Sequence, residues 1–177
     1  EGLRVAIQGV GAIGAAVARA LADAGAELVV ADLDSERAEA LAALVGGRPV
    51  SPNGILKEEV DVVCPCATGG VLTEESVAGL EAWAVVPGAN NVLESEAAGL
   101  ALHRRGILLV PDVIASAGAV VDGIGRTVMG LGDRTILVDR LGETAREVLA
   151  RSDVRDCPAT EVARALAMER IATANTA

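Results

Sequence analysis

Three closely spaced glycines near the start of the chain constrain its fold more than any other feature. They are Gly9, Gly11 and Gly14. The apolar run at residues 3–7 precedes them and predicts a strand, while residues 12–24 carry apolar side chains at helical spacing. The segment therefore predicts a strand, a tight glycine-rich turn and a helix in direct succession.

Short apolar runs alternate with helical patterns along most of the chain. The predicted strands are residues 3–7, 27–32, 48–51, 61–64, 84–86 and 107–110. The predicted helices are residues 12–24, 36–44 (capped by Ser35), 73–80, 94–105, 117–131, 134–151 and 159–174. Strands that alternate with helices form a largely parallel sheet, and strands that are apolar throughout are typical of a sheet covered on both faces. We expect an α/β protein with a doubly wound, mostly parallel sheet, the Rossmann fold, followed by extra C-terminal helices.

Each glycine of the turn has a separate role if the turn binds a dinucleotide. Gly9 would permit the bend out of the strand, and Gly11 would let a diphosphate approach the main chain. Gly14 would let the helix pack close to the sheet. The start of the helix would add free N–H groups and about half a positive charge for the phosphates.

An acidic residue completes this pattern at the end of the second predicted strand. Asp32 follows Gly14 by 18 residues, close to the spacing of about 20 at which an acid binds the ribose hydroxyls in dinucleotide-binding folds. Its charge would repel a 2′-phosphate. Leu33, rather than an arginine, follows directly, and Arg37 lies inside the next predicted helix. The sequence therefore predicts NAD, in preference to NADP, as the cofactor.

The charge and cysteine content exclude several classes of protein. The net charge is −10 and no basic run occurs, which argues against a broad nucleic-acid surface. No stretch of about 18 apolar residues predicts a membrane span, and residues 1–9 show no leader pattern. The three cysteines, Cys64, Cys66 and Cys157, form neither a disulfide framework nor a metal-binding pattern. We expect a cytoplasmic protein without a metal site.

The whole chain, residues 1–177, is expected to form one dinucleotide-binding domain, with a Rossmann core over 1–121 and terminal helices over 122–177. The first terminal helix carries an apolar stripe at helical spacing. Its members are Val120, Val121, Ile124, Val128 and Leu131. We predict that this stripe packs on the sheet; if exposed, it would mark an interface between subunits.

Three further motifs follow successive predicted strands: PCATGG (65–70), GANN (88–91) and PDVIASAG (111–118). Together with RVAIQGVGAIG and ADLD, they resemble the cofactor-binding domain of the glutamate/leucine/phenylalanine/valine dehydrogenase family, most closely its leucine and phenylalanine dehydrogenase branch. The resemblance covers residues 2–121. It implies oxidative deamination of an amino acid with NAD, by hydride transfer between the substrate Cα and the nicotinamide.

The resemblance also implies cofactor contacts at particular positions. The residues expected to hold the adenosine and diphosphate are Gly9, Val10, Gly11, Ala12, Ile13, Gly14, Asp32 and Leu33. Ala67 and Thr68 would lie beside the nicotinamide-side ribose, and Asn90 and Asn91 near the nicotinamide. These positions suit an open α/β sheet, which binds ligands beyond the carboxyl ends of its strands.

Three departures separate this chain from the family pattern. The family segment PD-x-x-x-NAGG carries an Asn that contacts cofactor and substrate, and here Ser116 and Ala119 replace that Asn and the second Gly. Pro87 and Gly88 stand where the branch has Gly and Ser. The family's catalytic lysines and aspartate lie in an N-terminal substrate domain, whereas this sequence begins at the cofactor domain. Its one lysine, Lys57, lies in a predicted surface helix.

The sequence identifies no catalytic residue, and Ser116 and Asp112 are the candidates. Ser116 would contact the reacting groups or begin a helix, and Asp112 would orient a substrate or cap a helix. His103 is expected to interact with a helix end. Cys64 and Cys66 lie at a strand end that faces the proposed site, and we expect packing roles because no partner base is evident.

Three functions fit these observations. The first is an NAD-dependent oxidoreductase related to amino-acid dehydrogenases, acting on an amino acid or a related imine or oxo acid, with the substrate-binding half supplied by a missing region or a partner chain. The second is an NAD-binding module without turnover. The third is a small imine or carbonyl reductase that binds substrate between two copies of the domain and dimerises through its terminal helices.

Overall fold

In a computed structural model that describes residues 2–174, the chain forms a six-stranded sheet in which every pair of neighbouring strands is parallel. The strands are β1 (Arg4–Gln8), β2 (Glu27–Ala31), β3 (Arg48–Pro49), β4 (Val62–Pro65), β5 (Ala84–Val85) and β6 (Leu108–Leu109). Their order across the sheet is β3-β2-β1-β4-β5-β6. This is the Rossmann order, which reverses direction beside β1 and leaves a crevice there. The predicted fold class is confirmed.

Eight helices and one 3-10 turn connect the strands and complete the described chain. They are α1 (Ala12–Asp23), α2 (Ser35–Val45), the 3-10 turn (Ile55–Lys57), α3 (Glu74–Ala78), α4 (Glu96–Arg104), α5 (Asp112–Ala115), α6 (Gly118–Thr127), α7 (Thr135–Arg155) and α8 (Ala159–Ala174). We call β1–β6 with α1–α4 the sheet unit, and α5–α8 the helical end. None of the helices described in residues 2–174 is both long and apolar enough to cross a membrane.

Alternating residues of each central strand enter two different cores. Val5 and Ile7 of β1 pack with α1 and α2 on one face of the sheet. Ala6, between them, belongs to the core on the other face, where Val77 of α3 and Leu102 of α4 are buried. Successive side chains of a strand point to opposite faces, so a strand covered on both sides must be apolar at every position. This explains the uninterrupted apolar runs of the sequence.

Local capping fixes the ends of the connecting helices. Asp34, not Ser35 as predicted, caps α2, because its Oδ1 accepts a hydrogen bond of 3.1 Å from the N–H of Arg37. Gly46 ends α2 with a φ of +68°, a left-handed conformation that favours glycine. Lys57 ends a single 3-10 turn instead of lying in the predicted surface helix, and Ile55, at the start of that turn, is buried.

The helical end has a small core of its own. Ile114 of α5 and Val148 of α7 pack there with one face of α8. Helix α8 also lies beside β6, which attaches this end to the sheet. Helices α6 and α7 contribute little else to the interior, because buried residues are sparse along both.

The apolar stripe of α6 does not pack on the sheet, and that prediction is wrong. Val120, Ile124 and Val128 are 58%, 49% and 76% exposed, and Val121 and Leu131 are half-buried. The helix ends at Thr127, earlier than the predicted 131. Helical periodicity reveals that a helix has an apolar face but not which surface covers it.

Candidate functional site

Two of the three glycines in the turn between β1 and α1 leave no room for a side chain, each for a different reason. Gly9 has a φ of +87°, and a Cβ there would lie 2.6 Å from the Cα of Ala67. A Cβ at Gly14 would overlap the carbonyl oxygen of Gly9. These contacts confirm the predicted bend and the close approach of helix to sheet. A Cβ at Gly11 meets no atom of the described chain within 4 Å, so that side of the turn is open.

The main chain of this turn is tied to the end of β2. The N–H of Val10 donates to Oδ2 of Asp32 at 2.8 Å, and the N–H of Asp34 donates to Oδ1 at 3.0 Å. The hydrogen bond from Asp34 is the largest of the causes that hold the pKa of the Asp32 carboxyl below its usual value. The bond from Val10 and the charge of Arg37 act in the same direction, and burial opposes them. Asp32 is therefore a carboxylate fixed beside the glycine turn.

Arg37 reaches back from the first turn of α2 to this carboxylate. Its Nη1 lies 3.8 Å from Oδ1 of Asp32, and its Nη2 lies 3.2 Å from Oδ2 of Asp34. Leu33 is exposed beside them. Although Arg37 lies inside a helix, it is close to Asp32 at the end of β2. The reason is that the first turn of a helix stays near the strand that precedes it.

The loops after β1, β4 and β5 lie side by side through their main chains. Ala67 contacts the glycine turn at Gly9, as described above. A Cβ at Gly69 would lie 2.9 Å from the carbonyl oxygen of Asn91 and 3.0 Å from that of Asn90. The N–H of Gly70 donates to the same Asn91 oxygen at 2.8 Å. Ala67, Thr68, Asn90 and Asn91 are all exposed along this edge.

The loop after β6 joins this row through Asp112. Asn91 has a left-handed φ of +52°, and its N–H donates to Oδ2 of Asp112. Oδ1 of Asp112 accepts a 3.0 Å hydrogen bond from the N–H of Val113. Both carboxylate oxygens are thus engaged with main-chain donors. Asp112 holds two loops together at the edge of the sheet. The prediction that it caps a helix is wrong, because Asp112 is the first residue of α5 and Pro111, without a side-chain capping hydrogen bond, occupies the N-cap position.

Ser116 contacts Asn90, which, like Asn91, is predicted to lie near the nicotinamide. Its Oγ lies 2.5 Å from the side-chain oxygen of Asn90 and 2.6 Å from the carbonyl oxygen of Asp112. A hydroxyl has one proton and can donate only one of these bonds. If the amide of Asn90 turns by 180°, its N–H donates to Oγ while Oγ donates to Asp112. The amide oxygen then faces away from Ser116 and is free to accept from a ligand.

The cysteines at the end of β4 pack and do not form a nucleophilic site. Cys64 is buried in the core under α1, where burial raises the pKa of its thiol to about 12. Burial also raises the pKa of the Cys66 thiol. A Cβ at Gly88 would lie 2.7 Å from Sγ of Cys66 and 3.0 Å from Cγ2 of Ile13. Cys64 therefore does not face the site as predicted, and Cys66 fills the space beneath it.

Two other candidates lie outside this edge. Lys57 is exposed, and its aliphatic stem passes Gly79, whose Cβ would lie 3.6 Å from Cε. Nε2 of His103, near the end of α4, lies 3.1 Å from Oδ1 of Asp156, which ends α7. His103 lies in the last turn of its own helix, as expected, and its side-chain partner is this carboxylate at the end of α7. Within residues 2–174 no group of three or more His, Cys, Asp or Glu side chains is arranged to hold a metal ion.

Sequence reasoning missed three residues that shape the edge: Arg37, Gly69 and Gly88. The glycine pair at 69–70, in the loop that follows a predicted strand, is a usable signal, since glycine permits close approach of two backbones. Gly88 departs from the family pattern, which was a second signal. The contact of Arg37 had no signal, because helical spacing does not show how far a long side chain reaches.

Comparisons with known proteins support the family resemblance that the motifs of this site carry. The family model for glutamate/leucine/phenylalanine/valine dehydrogenase matches residues 30–124, more than half of the chain. A leucine dehydrogenase of Bacillus cereus is 34% identical over 176 residues, which cover 98% of this chain and 48% of that protein.

Two solved structures share the fold. The structure of L-tryptophan dehydrogenase from Nostoc punctiforme matches with a TM-score of 0.94 and 30% identity, covering 98% of this chain and 53% of that one. The hetero-hexameric glutamate dehydrogenase of Thermus thermophilus matches with a TM-score of 0.72 and 26% identity, covering 96% and 46%. The chain spans about half the length of the relatives it matches. It belongs to the glutamate/leucine/phenylalanine/valine dehydrogenase family, in the leucine and phenylalanine dehydrogenase branch.

Proposed function

We propose that this chain binds NAD and forms the cofactor-binding part of an oxidoreductase that transfers hydride between the carbon of an amino acid, or of its imine, and the nicotinamide. The relatives named above are leucine, tryptophan and glutamate dehydrogenases, which supports an amino-acid substrate. When bound, the nicotinamide supplies the hydride acceptor and donor.

The observation that carries this proposal is the pairing of Asp32 with the glycine turn. The carboxylate is fixed by the N–H of Val10 at the end of β2, and Gly11 beside it leaves open space. A diphosphate would lie against the main chain from Gly11 to Gly14, at the start of α1, where N–H groups and the helix dipole favour anions. The adenosine ribose would then lie beside Asp32 and Leu33, which fits the residues present.

The other end of the cofactor would lie along the loops after β4, β5 and β6. Ala67 and Thr68 would border the second ribose, and Asn90, whose side chain is held by Ser116, would offer its amide group to the carboxamide. The role proposed for Ser116 is positioning, in place of a direct Asn contact.

The group that donates or accepts the substrate proton would come from residues outside this chain. Asp112 accepts a main-chain hydrogen bond on each carboxylate oxygen and holds two loops together, which supports a structural role for it in preference to that of the substrate base. This supports a substrate-binding half supplied by residues outside this chain, either another region or a partner chain. Relatives about twice as long agree with such an arrangement.

Binding of NAD⁺ and NADH, measured by calorimetry and by NADH fluorescence, tests the proposal. Gly11→Ala places a Cβ in the open side of the turn without meeting the described chain, so we expect its Kd for NAD⁺ to rise about tenfold or more at unchanged stability. Gly142→Ala in α7 is a matched control, because a Cβ there also meets no described atom within 4 Å. Equal affinity in the two variants, or no binding by the unmodified chain, would refute the proposal.

The engagement of Asp112 also supports a second candidate, an NAD-binding module without turnover. NADH production with a panel of L-amino acids, and NADH consumption with oxo acids and ammonia, separates the two. Binding without turnover would leave the module as the function of this chain alone. Turnover by the isolated chain would contradict the module and require a proton donor from within the chain.

The exposed α6 stripe supports the third candidate, a reductase that acts as an oligomer. Sedimentation of the isolated chain tests it together with the imine substrates of the panel. A clean monomer would remove this candidate, since its substrate site needs two copies.

A further inference from the structure

Asn53 differs from the other asparagines of the chain because a glycine follows it. The residues that follow the others are Asn91, Val92 and Thr176. Glycine has no Cβ, so it leaves its own main-chain nitrogen open to the side chain that precedes it. The nitrogen of Gly54 can therefore reach the amide carbon of Asn53, an approach that a branched residue such as Val92 hinders.

The fold leaves this pair accessible. Asn53 is exposed and Gly54 is half-buried, and both lie in the connection between β3 and the 3-10 turn. The N–H of Gly54 donates to the carbonyl oxygen of Ser51 at 3.0 Å, and this bond has to open before the nitrogen can react. A Cβ at Gly54 would meet the same oxygen at 3.7 Å, an ordinary contact. The pair is thus restrained by a turn at the surface, not by packing.

The two asparagines at the crevice edge are held more firmly. The side-chain oxygen of Asn90 lies 2.5 Å from the hydroxyl of Ser116. Asn91 donates its N–H to a carboxylate, and the residue that follows it, Val92, is branched and buried. Both asparagines share the solvent, pH and age of Asn53, so they serve as references within the same chain.

We infer that Asn53 is a site of spontaneous deamidation. The nitrogen of Gly54 attacks Cγ of Asn53, its proton passes through solvent to the side-chain amide nitrogen, and that nitrogen leaves as ammonia. The product is a five-membered succinimide ring. Water then adds to either ring carbonyl and opens the ring, giving aspartate or isoaspartate. One water is consumed and one ammonia is released, with no oxidation or reduction. The inference does not depend on the proposed function.

The isoaspartate product would lengthen the main chain by one methylene group close to a core residue. Ile55, two residues further on, is fully buried in the core beneath α3 and α4. The N–H of Lys57 donates to the carbonyl oxygen of Gly54 at 2.9 Å. A longer link at residue 53 has to displace one of these contacts, so we expect isoaspartate to destabilise the fold. Aspartate adds only an exposed charge there.

Storage of the whole chain in mildly alkaline buffer, followed by mass spectrometry of its peptides, tests the inference. Asn53 should convert at least about tenfold faster than Asn90 or Asn91, and its rate should rise with pH because the attacking nitrogen has to lose its proton. Gly54→Ala should slow the conversion about tenfold, because its Cβ shields that nitrogen. This variant should fold, since its Cβ has room and the φ of Gly54 is −103°.

Asn53→Asp is the matched control for charge, because it adds the carboxylate without lengthening the main chain. Thermal unfolding should show a Tm that falls as the isoaspartate content, measured with an isoaspartyl methyltransferase, rises. The Tm of Asn53→Asp and that of stored Gly54→Ala should stay unchanged.

Two results would overturn the assignment of the site: conversion of Asn53 no faster than that of Asn90 and Asn91, or an equal rate in Gly54→Ala. Conversion without a change in Tm, or an equal fall of Tm in Asn53→Asp, would overturn the effect assigned to the longer main chain. Asn53→Gln, whose longer side chain forms a six-membered ring less readily, keeps the test decisive if Gly54→Ala does not fold.

Discussion

The sheet unit and the helical end use the same small aliphatic side chains to opposite effect. In the sheet unit, valine, leucine and isoleucine fill two cores, and residues such as Ile7, Leu72 and Leu102 are almost completely buried. In the helical end, α7 and α8 enclose a small cluster around Val148, while α6 presents Val120 and Ile124 to solvent. Composition alone does not separate these two regions, so the difference arises from what the chain folds against.

The difference teaches how tolerance to substitution should be distributed. The side chains of a closed core are densely packed, so both the removal and the addition of a methyl group change stability there. An apolar face without a covering surface loses nothing when it is truncated. Each of the following predictions compares a position in the sheet unit with one in the helical end.

Truncation of a buried helix residue should give the largest difference. Leu102→Ala in α4 should lower the free energy of unfolding by about 2–5 kcal/mol, because it leaves a cavity beneath the sheet. Ile124→Ala in α6 should change it by less than about 0.5 kcal/mol, because the side chain is half exposed. Urea denaturation followed by circular dichroism measures both. Comparable losses would show that α6 is covered in solution, for example by a second copy of the chain.

Addition of one methyl group should give the next largest difference in stability between the two regions. It should destabilise the sheet unit and stabilise the helical end. Gly14→Ala should destabilise the protein by about 1–3 kcal/mol, because its Cβ overlaps the carbonyl oxygen of Gly9. Gly123→Ala in α6 meets no described atom within 4 Å and should stabilise the helix by about 0.5–1 kcal/mol. Thermal unfolding of the two variants checks the signs. Destabilisation by Gly123→Ala would again indicate a covered helix.

Removal of a carboxylate should give the smallest effect and the clearest pH dependence. The pKa of Asp32 is lowered in the folded protein, first by the N–H of Asp34, so its contribution is present above the ordinary pKa and is lost as pH falls through the folded pKa. Asp32→Asn should cost about 1–2 kcal/mol at pH 7, and the cost should shrink below about pH 4.

The counterpart in the helical end is Asp122, whose pKa is also lowered, first by a hydrogen bond from Arg134. The Asp122 side chain is 54% exposed, so Asp122→Asn should have a smaller effect, and 1 M salt should remove most of it. Urea denaturation between pH 3 and pH 7 at two salt concentrations measures both variants. An Asp32→Asn cost that does not vary with pH would contradict the carboxylate role.

The sequence predicts much of the sheet unit because its signals are local. Apolar runs bounded by Gly and Pro locate the strands within about two residues, and the glycine turn and Asp32 are placed where the structure has them. The short α5 was missed because four residues carry no periodicity. The contacts of Gly69 with Asn90, and of Arg37 with Asp32, depend on which loops become neighbours and on side-chain reach. The exposure of α6 depends on the surface that faces it, which no pattern within one helix encodes.

The row of loops at the edge of the sheet is joined by backbone at nearly every step. Ala67 abuts the glycine turn at Gly9, Gly69 abuts Asn91, and Asn91 donates its N–H to Asp112. The outline of the crevice is therefore set by main-chain atoms, which a change of side chain leaves in place. In the proposed mode of cofactor binding, exposed positions such as Thr68 and Leu33 can vary and alter which molecule is preferred while the frame stays the same. A single family could in this way acquire new substrates and cofactor preferences without refolding its crevice.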